Sequence, residues 1–260
     1  MFISFWIVFA ILFGLNQNSR KSSDLPRIIK RGVIKVCGEE DLFSFYIDKQ
    51  GFQGFHYELA KAFADKYDLK LEYIGETDFR KRLKYLQSGQ CDILSGPLPV
   101  VAELRGSIAY TEPILKSYHV LLQRKEKNNG GKKPIRDQLL LGGKNIAFTA
   151  YSPNMYRIRN LAIEISDPIS ISQFQGYSTE DLIKAVSNHL IDFAVCDQYV
   201  ANSYLDQYTG IDIKTNVGFT QLQAWAVRPE NNSLLDSLNL FITAYKKSPE
   251  FTRLLKKYAK

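Results

Sequence analysis

The sequence predicts an α/β protein of two similar lobes built from parallel βαβ units, and three features of its 260 residues support this. From Val33 onward short β-rich runs alternate with amphipathic helical stretches. That order repeats in the second half of the chain, and a pair of apolar-striped helices closes it. With 45% hydrophobic residues, 16 Phe and 15 Tyr, the chain can bury enough apolar surface to offset the entropy of ordering it, which excludes a disordered polypeptide.

The first strand is expected at 33–37 (VIKVC). A helix follows over Tyr57 to Asp68, where Leu59, Phe63 and Tyr67 recur every four residues and share one face. A strand at 69–74 (LKLEYI), a helix from Asp78 to Gln87 with Phe79, Leu83 and Leu86 on one side, and a strand at 91–96 (CDILSG) complete the first set. The second set reads NIAFTA at 145–150, a helix from Pro153, SISQFQ at 170–175, a helix from Thr179 to Ser187 and IDFAVCD at 191–197. The two sets agree in detail. Thr77-Asp78-Phe79 and Thr179-Glu180-Asp181-Leu182 each open a helix, with Asp or Thr as the N-cap, and each helix runs into a strand with an Asp near its start, Asp92 or Asp192. Between them KEKNNGGKKP at 125–134 reads as a polar connection, because its glycines lack the G-x-x-x-x-G-K-[ST] spacing of a phosphate loop.

A last strand is expected within LQAWAVRPENN at 222–232. Leu234, Leu235, Leu238, Phe241, Ile242 and Tyr245 then form one helical stripe, Pro249 breaks it, and Phe251, Leu254, Leu255 and Tyr258 form a second. If this helix pair packs back on the first lobe, the chain crosses between lobes twice. That predicts a two-strand hinge, with 26–122 plus 219–260 as lobe 1 and 123–218 as lobe 2.

Residues 1–25 are set apart. Met1 to Leu15 (MFISFWIVFAILFGL) is interrupted only by Ser4 and Gly14, and such a run is short for a membrane-crossing helix but fits the apolar core of an export signal. The segment is expected to be a signal peptide or an N-terminal membrane anchor, and the body to lie in the periplasm or outside the cytoplasm.

Charge and motif content exclude several functions. Residues 1–31 carry five basic side chains against Asp24, and residues 246–260 carry six against Glu250, so these two ends exceed the whole net charge of +7 and leave the middle slightly acidic. A nucleic-acid partner would require cations gathered on one surface and is not expected. Cys37, Cys91 and Cys196 each adjoin an apolar run without metal-ligand spacing and are expected to be buried free thiols, while His56, His119 and His189 stand alone, so no metal site is expected. G-x-S-x-G, H-E-x-x-H and G-x-G-x-x-G are all absent, so neither a cofactor nor enzyme chemistry is indicated.

In parallel α/β sheets ligands bind beyond the carboxyl ends of the strands. There the sequence places Glu39 among acids that precede Phe43, Phe45 and Tyr46, then Ser95 and Gly96 with Arg105 farther on, Tyr151 and Ser152 before a helix start whose free N–H groups suit an anion, and Asp197. Singly, Phe45 is better read as core, Glu39 as a solvated turn and Arg105 as a surface cation. Together they suit a zwitterion, with Arg gripping a carboxylate and Asp an ammonium.

The stretches VIKVCGE, GFQGFHYELAKAFADKYDLKLEYI, CDILSG, YTEPILKSYHVLLQRK and IDFAVCDQYVA resemble the family 3 extracellular solute-binding proteins, from about Arg27 to Tyr258. The resemblance implies the type II periplasmic binding protein fold, two Rossmann-like lobes joined by a two-strand hinge. SPNMYRIRNL, IDFAVCD and AWAVRPENNSLLDSLNLF further resemble the amino-terminal sensor domain of membrane-bound lytic transglycosylase F, without a counterpart of its catalytic domain. Carried onto this sequence, Asp197 is implied as the ammonium ligand, Ser152 as the hydroxyl of the anion loop with Tyr151 where Gly is usual, Phe45 as the covering aromatic and Arg105 as the nearest match to the carboxylate-binding arginine. The expected function is binding of a small amino-acid-like or peptide-like ligand for ABC-type uptake through a membrane permease. The alternative is a membrane-associated, non-catalytic sensory module for cell-wall fragments, partnered by a wall enzyme.

Overall fold

The computed structural model describes residues 24–259; the apolar run at residues 1–15 lies outside them. Two three-stranded parallel layers repeat the same order. Strand β1 (Val33–Gly38) lies between β4 (Lys70–Gly75) and β5 (Ile93–Pro99), and β8 (Asn145–Thr149) lies between β9 (Ser170–Phe174) and β10 (Phe193–Asp197). Two long strands, β7 (Leu115–Arg124) and β12 (Asn216–Val227), run antiparallel between these layers. β12 also pairs with β5 and β7 with β10, so the order is β4-β1-β5-β12-β7-β10-β8-β9, with the two-residue strands β6 (Ala109–Tyr110) and β11 (Ile211–Asp212) pairing off this path with β12 and β7. The observed class is α/β, as the alternation of runs predicts, and the crossing strands merge both lobes into one twisted sheet.

The helices follow their apolar periodicity. In α2 (Phe55–Lys66) Leu59 and Phe63 are buried as predicted, and Tyr67 becomes the C-cap. The closing pair, α7 (Asn232–Tyr245) and α8 (Pro249–Tyr258), packs on this helix: Phe63 meets Phe241 edge-on at 5.3 Å, Phe55 meets Phe251 at 5.9 Å, and the Gly54 N–H donates to the Tyr258 hydroxyl at 3.0 Å. Asp78 caps α3 (Phe79–Gln87), accepting from the N–H of Arg80 at 2.8 Å. The expected cap Thr179 is displaced by one residue. Ser178 caps α5 (Thr179–Ser187) in a reciprocal box with Asp181, which frees the Thr179 hydroxyl for another contact. The third strand starts at Ile93 rather than 91, because the Asp92 carboxylate turns to accept from the Lys35 N–H at 2.9 Å.

Elements with weak apolar patterning escape the sequence reading. They are α1 (Leu25–Arg31), the hairpin β2 (Tyr46–Asp48) and β3 (Gly51–Gln53), helix α6 (Gln198–Tyr204) and most of β7, whose Ser117, His119, Gln123 and Arg124 break the apolar signal although all four are buried. Cys37, Cys91 and Cys196 are buried free thiols. His56 accepts from the indole N–H of the fully buried Trp225 at 2.9 Å, and burial pulls its pKa down to about 3, which keeps it neutral.

The internal repeat is realised by two buried arginines. Arg228, just after β12, donates to the carbonyls of Leu86 and Cys91, each at 2.7 Å, and lies 3.7 Å from the Asp92 carboxylate. Arg124, at the end of β7, donates to the carbonyls of Val186 at 2.9 Å and Ile191 at 2.8 Å and pairs with Asp192. Arg228→Ala leaves two buried carbonyls and a buried carboxylate short of donors and is expected to cost about 3–5 kcal/mol. Arg31→Ala removes the other cation beside Asp92, a side chain 41% exposed, and should cost under about 1 kcal/mol. Denaturant midpoints at unchanged slope measure both, and equal losses would contradict this assignment.

Candidate functional site

The carboxyl ends of β1, β5 and β10 converge on a cavity between the lobes, lined by Glu39, Arg82, Ser95, Ser152, Thr179 and Asp197 together with apolar side chains that include Phe79 and Leu98. Its volume of about 20 Å³ is room for a water molecule. Glu39 joins its two walls. One carboxylate oxygen accepts from the Arg82 guanidinium at 3.0 Å, and the other accepts from the Thr179 hydroxyl across the cleft at 3.0 Å. Three further contacts span the cleft. The Leu42 N–H donates to the Tyr204 hydroxyl at 3.3 Å, Phe43 stacks on Tyr199 at 5.1 Å, and the Arg80 guanidinium lies 4.0 Å from the Tyr151 ring centre.

Local backbone explains the close approach. Gly38 ends β1 where any Cβ would collide with the hydroxyls of Tyr73 and Ser95, which bond each other at 2.6 Å. Gly96, at a φ of +113, turns β5 beneath Glu39 and Arg82 in a conformation that favours glycine. Tyr151 takes a left-handed φ of +59 and donates its N–H to Gln173 at 2.9 Å. The Ser152 hydroxyl accepts from the Asn154 N–H at 3.3 Å, at the turn before α4 (Met155–Glu164).

Asp197 caps α6, accepting from the Tyr199 N–H at 2.8 Å, and also accepts from the side-chain amide of Gln223 on β12. Burial pushes its pKa up to about 6 despite these bonds and that of Ser117. Asp41 is equally enclosed. Burial, and then the charge of Glu39, push it up to about 7, although one oxygen accepts from the N–H groups of Phe43 and Ser44.

Of the residues singled out in the sequence, Glu39, Ser95, Ser152 and Asp197 line the cavity, Gly96 borders it, and Tyr151 stands at the rim. Two are placed elsewhere. Phe45 packs among Phe52, Tyr57 and Tyr73, stacked on Tyr73 at 4.3 Å, because the β2–β3 hairpin needs an apolar underside. Arg105 is exposed in the turn after a short 3-10 helix (Ala102–Leu104), so the cation that reaches the cavity is Arg82. Arg82 carried a legible signal: it falls on the same helical face as Phe79 and Leu86, and a cation in an apolar stripe needs a buried partner. Thr179 carried none.

Residues 33–260 match the model of the bacterial extracellular solute-binding proteins, family 3. The chain belongs to that family. It is 27% identical over 255 residues to membrane-bound lytic murein transglycosylase F of Desulfosudis oleivorans, covering 97% of this chain and 54% of the relative. To the protein of the same name from Pseudomonas fluorescens strain Pf-5 it is 27% identical over 261 residues, covering 97% and 51%. The chain thus spans about half the length of the curated relatives it matches. Among solved structures, an ancestral arginine-binding protein bound to arginine superposes with a TM-score of 0.76 at 23% identity, covering 88% of this chain and 99% of that one. The solute receptor for L-cysteine of Neisseria gonorrhoeae gives 0.78 at 20%, covering 91% and 93%. This family 3 solute-binding chain therefore has the type II periplasmic binding protein fold that its motifs imply.

The raised pKa of Asp41 sets a sign. An unfolded Asp titrates near 3.9, so between about pH 4 and 7 the folded state holds a proton that the unfolded state lacks, and this group's contribution to stability falls as pH rises through that window. Asp41→Asn is expected to gain on the parent as pH rises from 4 to 7, by on the order of 5 °C in melting temperature, and to gain nothing further above it. A difference independent of pH would refute the shift.

Proposed function

We propose that this chain is an exported binding protein that closes over a small amino-acid-like or peptide-like ligand, without chemistry of its own. The observation that carries this reading is the Glu39 bridge. Its carboxylate is held by Arg82 on one side of the cleft and by Thr179 on the other, so the polar cavity is shaped by two bodies in contact. A guanidinium, two carboxylates and three hydroxyls around a small cavity can recognise the carboxylate and ammonium of a zwitterion. Family membership and neighbours named for arginine and cysteine binding support a ligand of that size, and the family's extracellular character supports a periplasmic location. Among the described residues no helix is long and apolar enough to cross a membrane. Delivery to an ABC-type permease is the role such a protein would serve.

The transglycosylase relatives favour a second reading, a sensory or regulatory module for peptidoglycan fragments partnered with a wall enzyme. It uses the same cleft and differs in ligand and partner. Purified protein is to be tested with amino acids, short peptides and muropeptides, with melting temperature as the readout. At least one class should raise it by several degrees, and the class that does so separates the two readings. Arg82→Gln and Asp197→Ala should each abolish that shift, whereas Arg105→Ala should leave it intact. A flat response to the whole panel removes support from both roles.

A further inference from the structure

The two lobes differ at the ends that face away from the cleft, where their parallel strands begin. In lobe 1 that pole is covered. Helix α1 lies across it, its Arg31 donating to the Val33 carbonyl at 2.9 and 3.0 Å and pairing with Asp92 at 2.5 Å, so the Asp92 side chain is only 2% exposed. In lobe 2 the segment before β8 is a single 3-10 turn (Gln138–Leu141) that brings no cation to the matching Asp192, whose side chain is 73% exposed. What remains there is a groove of two adjoining spaces, about 600 and 350 Å³, which share Lys144, Asp192 and Phe193.

The charge of this groove is one-sided. Lys132, Lys133 and Lys144 line it with Arg124, against the single carboxylate of Asp192, which leaves an excess of three positive charges. Arg124 is committed to Asp192, Asn129 and two carbonyls, whereas among the described residues none of the three lysines forms an ion pair. The body between the two basic chain ends is slightly acidic, so this concentration is local. Lys132 and Lys133 are also held in place. Their loop is pinned on one side by Asn129, which accepts from Arg124 at 3.0 Å, and on the other by Ile135, whose N–H and carbonyl both bond the buried Gln123 amide, at 2.8 and 2.9 Å. Gly130 and Gly131 turn the loop at φ of +60 and +79, a backbone that favours glycine. Like charges gathered in this way repel one another, and a ligand with several carboxylates removes that repulsion.

We propose that this groove docks an acidic peptide segment of a partner protein, with carboxylates on Lys132, Lys133 and Lys144 and an apolar side chain against Leu190 and Phe193. The cations are strung along two connected spaces, which suits an extended chain, whose side chains on one face recur roughly every 7 Å. A phosphate group is best held by a free arginine fork, and the one arginine of the groove is already committed. Leu190 is 73% exposed in the second space and offers the apolar contact that charge alone does not provide. The inference is independent of what occupies the cleft, because no residue of the groove lines the cavity between the lobes.

The test is a fluorescence-anisotropy titration of the full chain against a labelled decapeptide with leucine at every third position and glutamate elsewhere, beside the same peptide with glutamine for glutamate. The acidic peptide should bind at least about tenfold tighter, and raised salt should shrink that ratio. The triple variant Lys132→Gln, Lys133→Gln, Lys144→Gln should bring the ratio to within about threefold. The variant Lys49→Gln, Lys84→Gln, Lys256→Gln removes the same charge from exposed positions of lobe 1 and should keep the full preference. Equal losses in the two variants would reduce the effect to net charge and overturn the groove, as would equal affinity for the two peptides. Tripolyphosphate that binds more tightly than the acidic peptide and displaces it would overturn the peptide in favour of phosphate, and anionic lipid vesicles that do so would overturn it in favour of a membrane surface. All six lysines are exposed, and the comparison of the two peptides needs no variant, so a variant that fails to fold does not blunt it.

Discussion

Each of the two strands that join the lobes delivers a buried arginine, and the placement of both lobes depends on those two contacts. Arg228 follows β12 and grips the end of α3 and the start of β5; Arg124 ends β7 and grips the end of α5 and the turn into β10. A helix C-terminus leaves carbonyls without partners and carries partial negative charge, so a planar group with several fixed donors satisfies it where a single ammonium would not. Because β7 and β12 run antiparallel, one clamp falls in each lobe. The helix-to-strand turn is thereby held at one end of each parallel layer, and the opposite, carboxyl ends of the strands are left to face each other.

The cleft is tied to the same two strands from the other direction. Asp197 accepts from Gln223 on β12 and is stabilised by Ser117 on β7, so this carboxylate in the cavity lining is held by the segments that must twist if the lobes part. Its environment is therefore a property of the hinge as much as of its own strand. Burial alone would leave it with a higher pKa; the bonds from the crossing strands bring it part of the way back.

What could be read from the sequence was whatever repeats with a period. The parallel strands, the stripes of α2, α7 and α8, and the paired Asp92 and Asp192 all announced themselves, because burying one face imposes a spacing on apolar residues. Strand β7 did not, since its buried polar residues are satisfied by tertiary partners such as the Ile135 carbonyl for Gln123, which no local pattern encodes. The cavity followed the same division. Glu39, Ser95, Ser152 and Asp197 sit at strand ends, where topology alone sends ligands, whereas Arg82 replaced Arg105 because reach is decided by which helix face turns inward. Phe45 packs outside the cavity because its immediate neighbours offer it an aromatic cluster.

If the chain closes over a ligand as proposed, the Glu39 bridge includes a contact that closure makes. Its bond to Arg82 lies within one lobe and survives opening, so only the bond to Thr179 distinguishes the closed arrangement. One such bond contributes about 1 kcal/mol net, and the Arg80 contact with Tyr151 and the stacking of Phe43 on Tyr199 contribute comparable amounts. Against them stands the convergence of the Glu40, Glu180 and Asp181 carboxylates on the wider part of the cleft. Two small opposing totals leave open and closed forms close in free energy, and a ligand shifts such a balance only by the difference in its affinity for the two. A group that touches both walls at once supplies that difference in full, because half of its contacts do not exist until the lobes meet.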